Sequence, residues 1–242
     1  MSDSRTVHLS IVIPAYNEER RIAGTLDGLQ DYLARQEYSS EILVVDDGSD
    51  DQTAKIVRAS FPDVTLISYP NNRGKGFAVK TGMLAARGAY RLFYDADAST
   101  PIAELEKVWP EFEQGAAVVI GSRALRDSQI EVRQPMYREY MGRTYNLLLR
   151  ALLLTRFPDT QCGFKCLTAK CTQAVFPRIT RMGYGSDCEI LYIAKLLGFQ
   201  VIDIPVRWID SPDTRVRVIR DSLDMIREVL MIRFNVLTGK YR

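Results

Sequence analysis

The sequence predicts an α/β domain built on a mostly parallel sheet with helices covering both faces. Three observations lead there. Near-continuous apolar runs of strand length recur between Val7 and Ile120, stretches of helical length separate them, and polar clusters stand at the carboxyl ends of the runs. Ligands bind beyond the carboxyl ends of strands in such sheets, so Tyr16 to Glu18, Asp46-Asp47 and Asp95 to Asp97 point to one shared active site.

The first strand is Val7 to Ile13, closing on Pro14-Ala15-Tyr16; Asn17 then reads as the N-cap of a helix over Arg20 to Arg35, with Glu18 and Glu19 in its first turn. Glu41 to Val45 is a second buried strand. It runs into Asp46-Asp47-Gly48-Ser49-Asp50, where Gly48 permits a sharp turn and Ser49 or Asp50 is placed to cap the next helix. Val64 to Ser68 makes a third strand, followed by Asn71 to Gly76 and a helix through Ala86. The central strand, Tyr90 to Tyr94, ends in Asp95-Ala96-Asp97 before a helix that opens at Pro101.

Beyond it, Ala117 to Ile120 is a strand ending at Gly121-Ser122-Arg123. The Arg-rich segment from Arg126 to Arg143 is too long and too charged for a tight connection, and long loops in compact domains are functional or disordered. Gly142 to Phe157 reads as an apolar helix, Asp159 to Lys165 leads into a short strand, and Gly185 to Glu189 opens a periodic helix that ends at Gly198. Gln200 to Trp208 alternates like an edge strand. The expected division is a catalytic domain over 1–210 and an amphipathic helix over 211–242.

Composition narrows the class. A chain of 242 residues at 46% hydrophobic buries a full core. A net charge of +2 argues against a nucleic-acid binder. The polar start predicts no signal peptide, and no uncharged run spans a bilayer. Cys162, Cys166, Cys171 and Cys188 lack CxxC spacing and stand far from the lone His8, so reduced buried thiols are expected rather than zinc. In the C-terminal stretch, apolar residues from Val216 to Leu237 alternate with Arg217, Arg220, Arg227 and Arg233; this suits either a membrane interface or a face packed on the domain.

If the central strand is buried, carboxylates two residues apart leave its end on one side and repel unless a cation sits between them. Mg²⁺ or Mn²⁺ suits such oxygen ligands and completes its shell with substrate phosphates. The plainer reading is that Asp97 caps the following helix. The chain has no GxxxxGK[ST], and Gly74-Lys75-Gly76 is not followed by the third glycine of a dinucleotide fingerprint. Asn72 to Gly76 is expected either to bring amides with Arg73 or Lys75 to a diphosphate, or to be a solvated loop before the helix.

Taken in order, Val12-Ile-Pro-Ala-Tyr-Asn-Glu18, Val44-Val-Asp-Asp-Gly-Ser49, Asn72 to Gly76, Asp95-Ala-Asp97, Gly121-Ser-Arg123, Asp159 to Lys165 and Asp187 to Leu191 resemble an inverting family 2 glycosyltransferase of the GT-A fold, the polyprenyl-phosphate group in particular. The resemblance implies that Pro14, Ala15, Tyr16, Glu18, Asp46, Asp47, Lys75, Asp95 and Ala96 hold a nucleotide sugar. It implies that Asp95 and Asp97 bind Mg²⁺ or Mn²⁺, and that Arg123 contacts phosphates. Mannosyl relatives carry glutamine where this chain has Ser99, and the QxxRW of processive polymerases is absent.

The expected reaction moves a sugar, glucose from UDP-glucose ahead of mannose from GDP-mannose, onto a polyprenyl phosphate, with Asp97, Arg123 and Asp187 as catalytic residues. An anionic phosphate acceptor needs cations more than a base, and Arg123, Arg133, Arg138, Arg143 and Lys165 are the expected donors. Asp187 reads as helix cap or base, and Glu189 as neither. The expected setting is peripheral, on the cytoplasmic face of a membrane. Two readings compete: transfer to a hydroxyl, which would need Asp187 as base, and a silent nucleotide-sugar binder.

Overall fold

The computed structural model describes residues 7–132, 157–183, 185–209 and 218–241. Its sheet contains β1 (Leu9–Ala15), β2 (Ser40–Asp46), β3 (Thr65–Ser68), β4 (Tyr90–Tyr94), β5 (Val118–Ser122), β7 (Phe164–Thr168) and β8 (Val201–Pro205), ordered β3-β2-β1-β4-β7-β5-β8. All neighbours are parallel except β7, which runs antiparallel to both β4 and β5. A separate parallel pair joins β6 (Gln129–Val132) to β9 (Arg207–Ile209).

The runs are apolar throughout because alternate side chains enter two cores. Leu9, Ile11 and Ile13 of β1, Val44 of β2 and Leu92 of β4 meet α1 (Ile22–Leu33), α2 (Thr53–Ser60) and α4 (Trp109–Glu113). Val12, Val45 and Phe93 face the other way, onto α3 (Lys75–Ala85), α5 (Ala169–Val175) and α6 (Ser186–Leu196). Fully burying each such side chain contributes roughly 1.5–3 kcal/mol. The last helix, α7 (Val218–Leu237), sets Val229 and Ile232 into this second core. All four cysteines are buried and free, and burial raises the thiols of Cys162 to about 11 and Cys171 to about 12.

Several local expectations are corrected. Asn17 does not cap α1, which begins at Ile22; it adopts φ 57° and ties two loops, its N–H donating to Ser49 Oγ at 2.9 Å and its Oδ1 accepting from Asp50 N at 2.8 Å. Ser49 and Asp50 are occupied there, and Asp51 Oδ1 instead accepts from Thr53 N at 2.9 Å at the start of α2. The Arg126 to Arg143 segment begins with β6, and Gln200 to Trp208 divides into edge strand β8 and strand β9. The helix expected over Gly142 to Phe157 lies outside the described residues, apart from Phe157.

Candidate active site

The carboxyl ends of β1, β2 and β4 form one edge, because Ala15 is in register with Asp46 and Val12 with Phe93. Pro14 and Ala15 are buried in β1, and Tyr16 emerges from it 38% exposed. Glu18 pairs with Arg21, Oε2 to Nε at 2.7 Å. Asp46 and Asp47 are both buried, and their oxygens are engaged. Asp46 accepts from Ser68 Oγ at 2.7 Å and Ser49 N at 3.3 Å. Asp47 accepts from Arg73 N at 2.9 Å and Gly74 N at 2.8 Å, yet burial outweighs those amides and holds its pKa above the ordinary carboxylate value.

Asp47 therefore moors the Asn72 to Gly76 loop, and Gly48 permits it: at φ 72° its position leaves no room for a Cβ beside Asn71 and Asn72. The Gly76 amide donates to Met182 O at 2.8 Å, and the Arg73 guanidinium lies 3.5 Å over the Phe77 ring. The expectation that these amides cradle a diphosphate is thus corrected, because the amides of Arg73, Gly74 and Gly76 are spent within the protein, while the Arg73 side chain is exposed against Phe77. Lys75 is directed elsewhere, its ammonium standing 2.8 Å from Asp95 Oδ1.

β4 ends at Tyr94, and Asp95 to Ala98 forms a turn closed by Ala98 N donating to Asp95 O at 3.1 Å. The two carboxylates are therefore carried by a turn, not by strand alternation. Ala98 at φ 51° and Asn17 are the non-glycine residues with positive φ among the described residues; both border this edge, where such strain is found at functional sites. Ala96 is buried, its carbonyl accepting from Thr25 Oγ1 at 2.7 Å. Asp97 is half-buried, and its Oδ1 accepts from Ser99 N at 3.0 Å within the turn; the helical segment Ile102–Lys107 has no side-chain cap, so the reading of Asp97 as its cap is corrected. Both carboxylates push the buried Tyr94 phenol upward, after desolvation.

This donor set fits a hard divalent cation. Asp95 and Asp97 supply carboxylate oxygens, and among the described residues no third His, Cys, Asp or Glu joins them. The remaining ligands would come from a substrate diphosphate and water, the usual arrangement for Mg²⁺ or Mn²⁺.

β7 closes the site from the other side. Asp95 N donates to Gly163 O at 3.1 Å, and a Cβ on Gly163 would overlap the Asp95 carboxylate. Asp159, buried at 3%, binds Arg123 through Nε at 2.6 Å, Nη2 at 2.9 Å and the backbone amide at 3.0 Å. The Arg123 guanidinium beside Asp159 lowers that carboxyl to about 2 against its desolvation. Arg123 keeps 27% of its side chain exposed and lies 5.4 Å from the Trp208 ring.

Two expected site residues prove to be partners of each other. Lys165, 1% exposed, donates to Asp187 Oδ1 and to Cys162 O at 2.6 Å. Lys165 is thereby an internal cation rather than one presented to an acceptor phosphate. Asp187 lies in the first turn of α6 and caps nothing there. Glu189 is structural as expected, accepting from Thr180 N at 2.9 Å, Arg181 N at 2.8 Å and the Tyr241 hydroxyl. Arg133, Arg138 and Arg143 lie outside the described residues. Sequence reasoning gave Asp159 and Gly163 no role. A lone carboxylate amid the cations between Tyr140 and Ser186 was the available signal for Asp159, whereas Gly163 carries none until β7 is placed beside β4.

A model of glycosyl transferase family 2 matches residues 10–173. A dolichyl-phosphate beta-glucosyltransferase of Dictyostelium discoideum is 32% identical over 98% of this chain and 77% of its own length. That of Saccharomyces cerevisiae is 32% identical over 99% and 78%. Among solved structures, glucosyl-3-phosphoglycerate synthase from Mycobacterium tuberculosis, crystallised with Mn²⁺, UDP-glucose and phosphoglyceric acid, superposes with a TM-score of 0.71 at 20% identity, covering 94% of this chain and 80% of that one. Mannosyl-3-phosphoglycerate synthase from Rubrobacter xylanophilus gives 0.70 at 21%, covering 97% and 75%. The shared architecture is the GT-A fold.

Proposed function

The chain belongs to glycosyl transferase family 2, and from that premise we propose that it transfers glucose from UDP-glucose to a polyprenyl phosphate of the dolichyl type, with inversion at the anomeric carbon. The observation that carries the acceptor assignment is the Lys165–Asp187 ion pair. A hydroxyl acceptor needs a base, and Asp187, the candidate base offered by the sequence, is 2% exposed and held by a buried ammonium. A phosphate monoester needs none, because its second pKa near 6 leaves it largely dianionic at neutral pH.

In the proposed step an acceptor phosphate oxygen forms a bond to C1 of glucose from the face opposite the leaving group. The C1–O bond to the diphosphate breaks, and its electron pair leaves with UDP. A dianionic acceptor becomes a monoanionic diester while the departing nucleotide gains one negative charge, so no proton has to move. Asp97 and Asp95 would hold the divalent metal, which supplies charge neutralisation for the leaving diphosphate. Lys75 adds a cation on the donor side, and Arg123, held by Asp159 with 27% of its side chain exposed, is the described cation proposed to meet the acceptor phosphate. Pro14, Ala15, Tyr16, Asp46 and Asp47 frame the nucleotide subsite, and Arg133, Arg138 and Arg143 remain proposed phosphate contacts.

Because the acceptor is a membrane lipid, the reaction belongs at a bilayer surface. No helix among the described residues is long and apolar enough to cross one. The proposed contact is α7, whose Leu230, Met231, Phe234 and Leu237 are 52%, 39%, 60% and 71% exposed while Val229 and Ile232 are buried. Arg227 and Lys240 are exposed at either end of this stripe, suited to anionic headgroups.

The test is transfer of radiolabelled glucose from UDP-glucose into organic-extractable polyprenyl phosphate, with GDP-mannose in parallel. Metal-dependent label from UDP-glucose, abolished by EDTA and reduced at least a hundredfold in Asp97→Asn, is the expected result. Label appearing only in a soluble hydroxyl acceptor would overturn the reading.

A further inference from the structure

Asp95 has two carboxylate oxygens and limited room around them. One side lies against Gly163, where a Cβ would overlap Oδ2, and the other carries the Lys75 ammonium, 2.8 Å from Oδ1. A divalent cation approaching Oδ1 therefore meets a positive charge already on that oxygen. The backbone that carries Lys75 cannot retreat. Gly74 and Gly76, on either side of it, are packed against Met182 O and Ser186 so closely that neither position has room for a methyl group. What can move is the side chain, a flexible four-carbon stem, 22% exposed, whose ammonium lies over the Phe93 ring at 5.1 Å. The amides of Arg73, Gly74 and Gly76 are consumed by Asp47 and Met182, so the loop meets an anion through side chains, and the Lys75 ammonium is the one already seated on a carboxylate of the candidate metal site.

We propose that Lys75 is a counter-ion that exchanges Asp95 for the diphosphate of the nucleotide sugar, so that the metal and the nucleotide bind cooperatively. The metal alone must compete with Lys75 for Asp95. A nucleoside diphosphate removes the competitor by giving the ammonium a stronger anionic partner, and it adds its own oxygens to the metal shell. Coupling between two ligands is reciprocal, so UDP tightens the metal by the same factor that the metal tightens UDP. The inference rests on the donor half of the proposed function and is independent of the acceptor.

The experiment measures Mn²⁺ binding from the free-ion electron paramagnetic resonance signal, with and without UDP, and UDP binding by equilibrium dialysis, all without acceptor lipid. In the wild-type chain UDP is expected to tighten Mn²⁺ by about tenfold or more, within the usual 5–150-fold range of such couplings. In Lys75→Met, Mn²⁺ alone is expected to bind more tightly than to wild type, while its coupling to UDP shrinks severalfold. A side chain needed only for the fold would weaken both. Mn²⁺ binding to Lys75→Met that is unchanged or weaker, with the coupling intact, overturns the proposal. Failure of any nucleoside diphosphate to bind would instead contradict the donor assignment. Should Lys75→Met not fold, Asp95→Asn and Asp95→Asn with Lys75→Gln decide the matter. Metal-free UDP affinity is expected to rise in the single variant only; a rise that persists without Lys75, or none at all, overturns it.

Discussion

Gly163 shows how narrowly single residues constrain this site. Its Cα lies against the Asp95 carboxylate, so Gly163→Ala must displace either the β7 loop or a side chain proposed to hold the metal. The expected outcome is at least a tenfold loss of Mn²⁺ affinity with the thermal transition lowered by only a few degrees; metal binding at wild-type strength would contradict the placement. Arg123 and Asp159 act in stability as well. A buried carboxylate left without its cation costs about 3–5 kcal/mol, so urea unfolding of Arg123→Met should show a loss of that order. The sign with pH follows from Asp159, whose carboxyl is lowered to about 2 from the ordinary 3.8 by the Arg123 guanidinium. Its stabilisation is complete above pH 4 and is lost as pH falls through 2. Arg123→Met should flatten that part of the acid-stability curve, and an unchanged curve would remove the pair from the account.

At the scale of elements, what the sequence discloses depends on which physical force is involved. Burial on both faces makes β1, β2 and β4 read as apolar runs, and the glycines at 48 and 198, both with positive φ, mark real turns. Direction is not encoded that way. Nothing in Phe164 to Thr168 distinguishes a parallel strand from the antiparallel one that brings Gly163 to Asp95. Lys165 misleads for a related reason: a lysine in a motif suggests a surface cation until α6 delivers Asp187 to it. Asn17 misleads because a polar residue before a helix resembles a cap, whereas here it joins the β1 and β2 loops. For α7, periodicity left two partners open, and the described side chains show one of them, the packing on the domain. Val229 and Ile232 pack on the core, and Glu228 accepts from Gly185 N at 2.6 Å, while Phe234 and Leu237 face outward. Phe234→Glu with Leu237→Glu should weaken co-sedimentation with anionic vesicles at least tenfold and leave UDP binding unchanged. Retained vesicle binding would place the membrane contact elsewhere.

For the whole molecule, a two-faced sheet delivers the proposed donor-site residues from β1, β2 and β4, and one reversed strand brings the β7 loop that carries Asp159 and Gly163. The arrangement locks Asp187, the base the sequence offered, and leaves cations around two carboxylates, which suits an acceptor that arrives already ionised. That claim is tested most directly by offering wild-type and Asp187→Asn chains, with UDP-glucose and Mn²⁺, a polyprenyl phosphate and the matching polyprenol side by side. The account predicts label in the phosphate alone, with a pH profile whose acid limb follows the second ionisation of the acceptor in both proteins. Glucosylation of the polyprenol, abolished in Asp187→Asn, would contradict it.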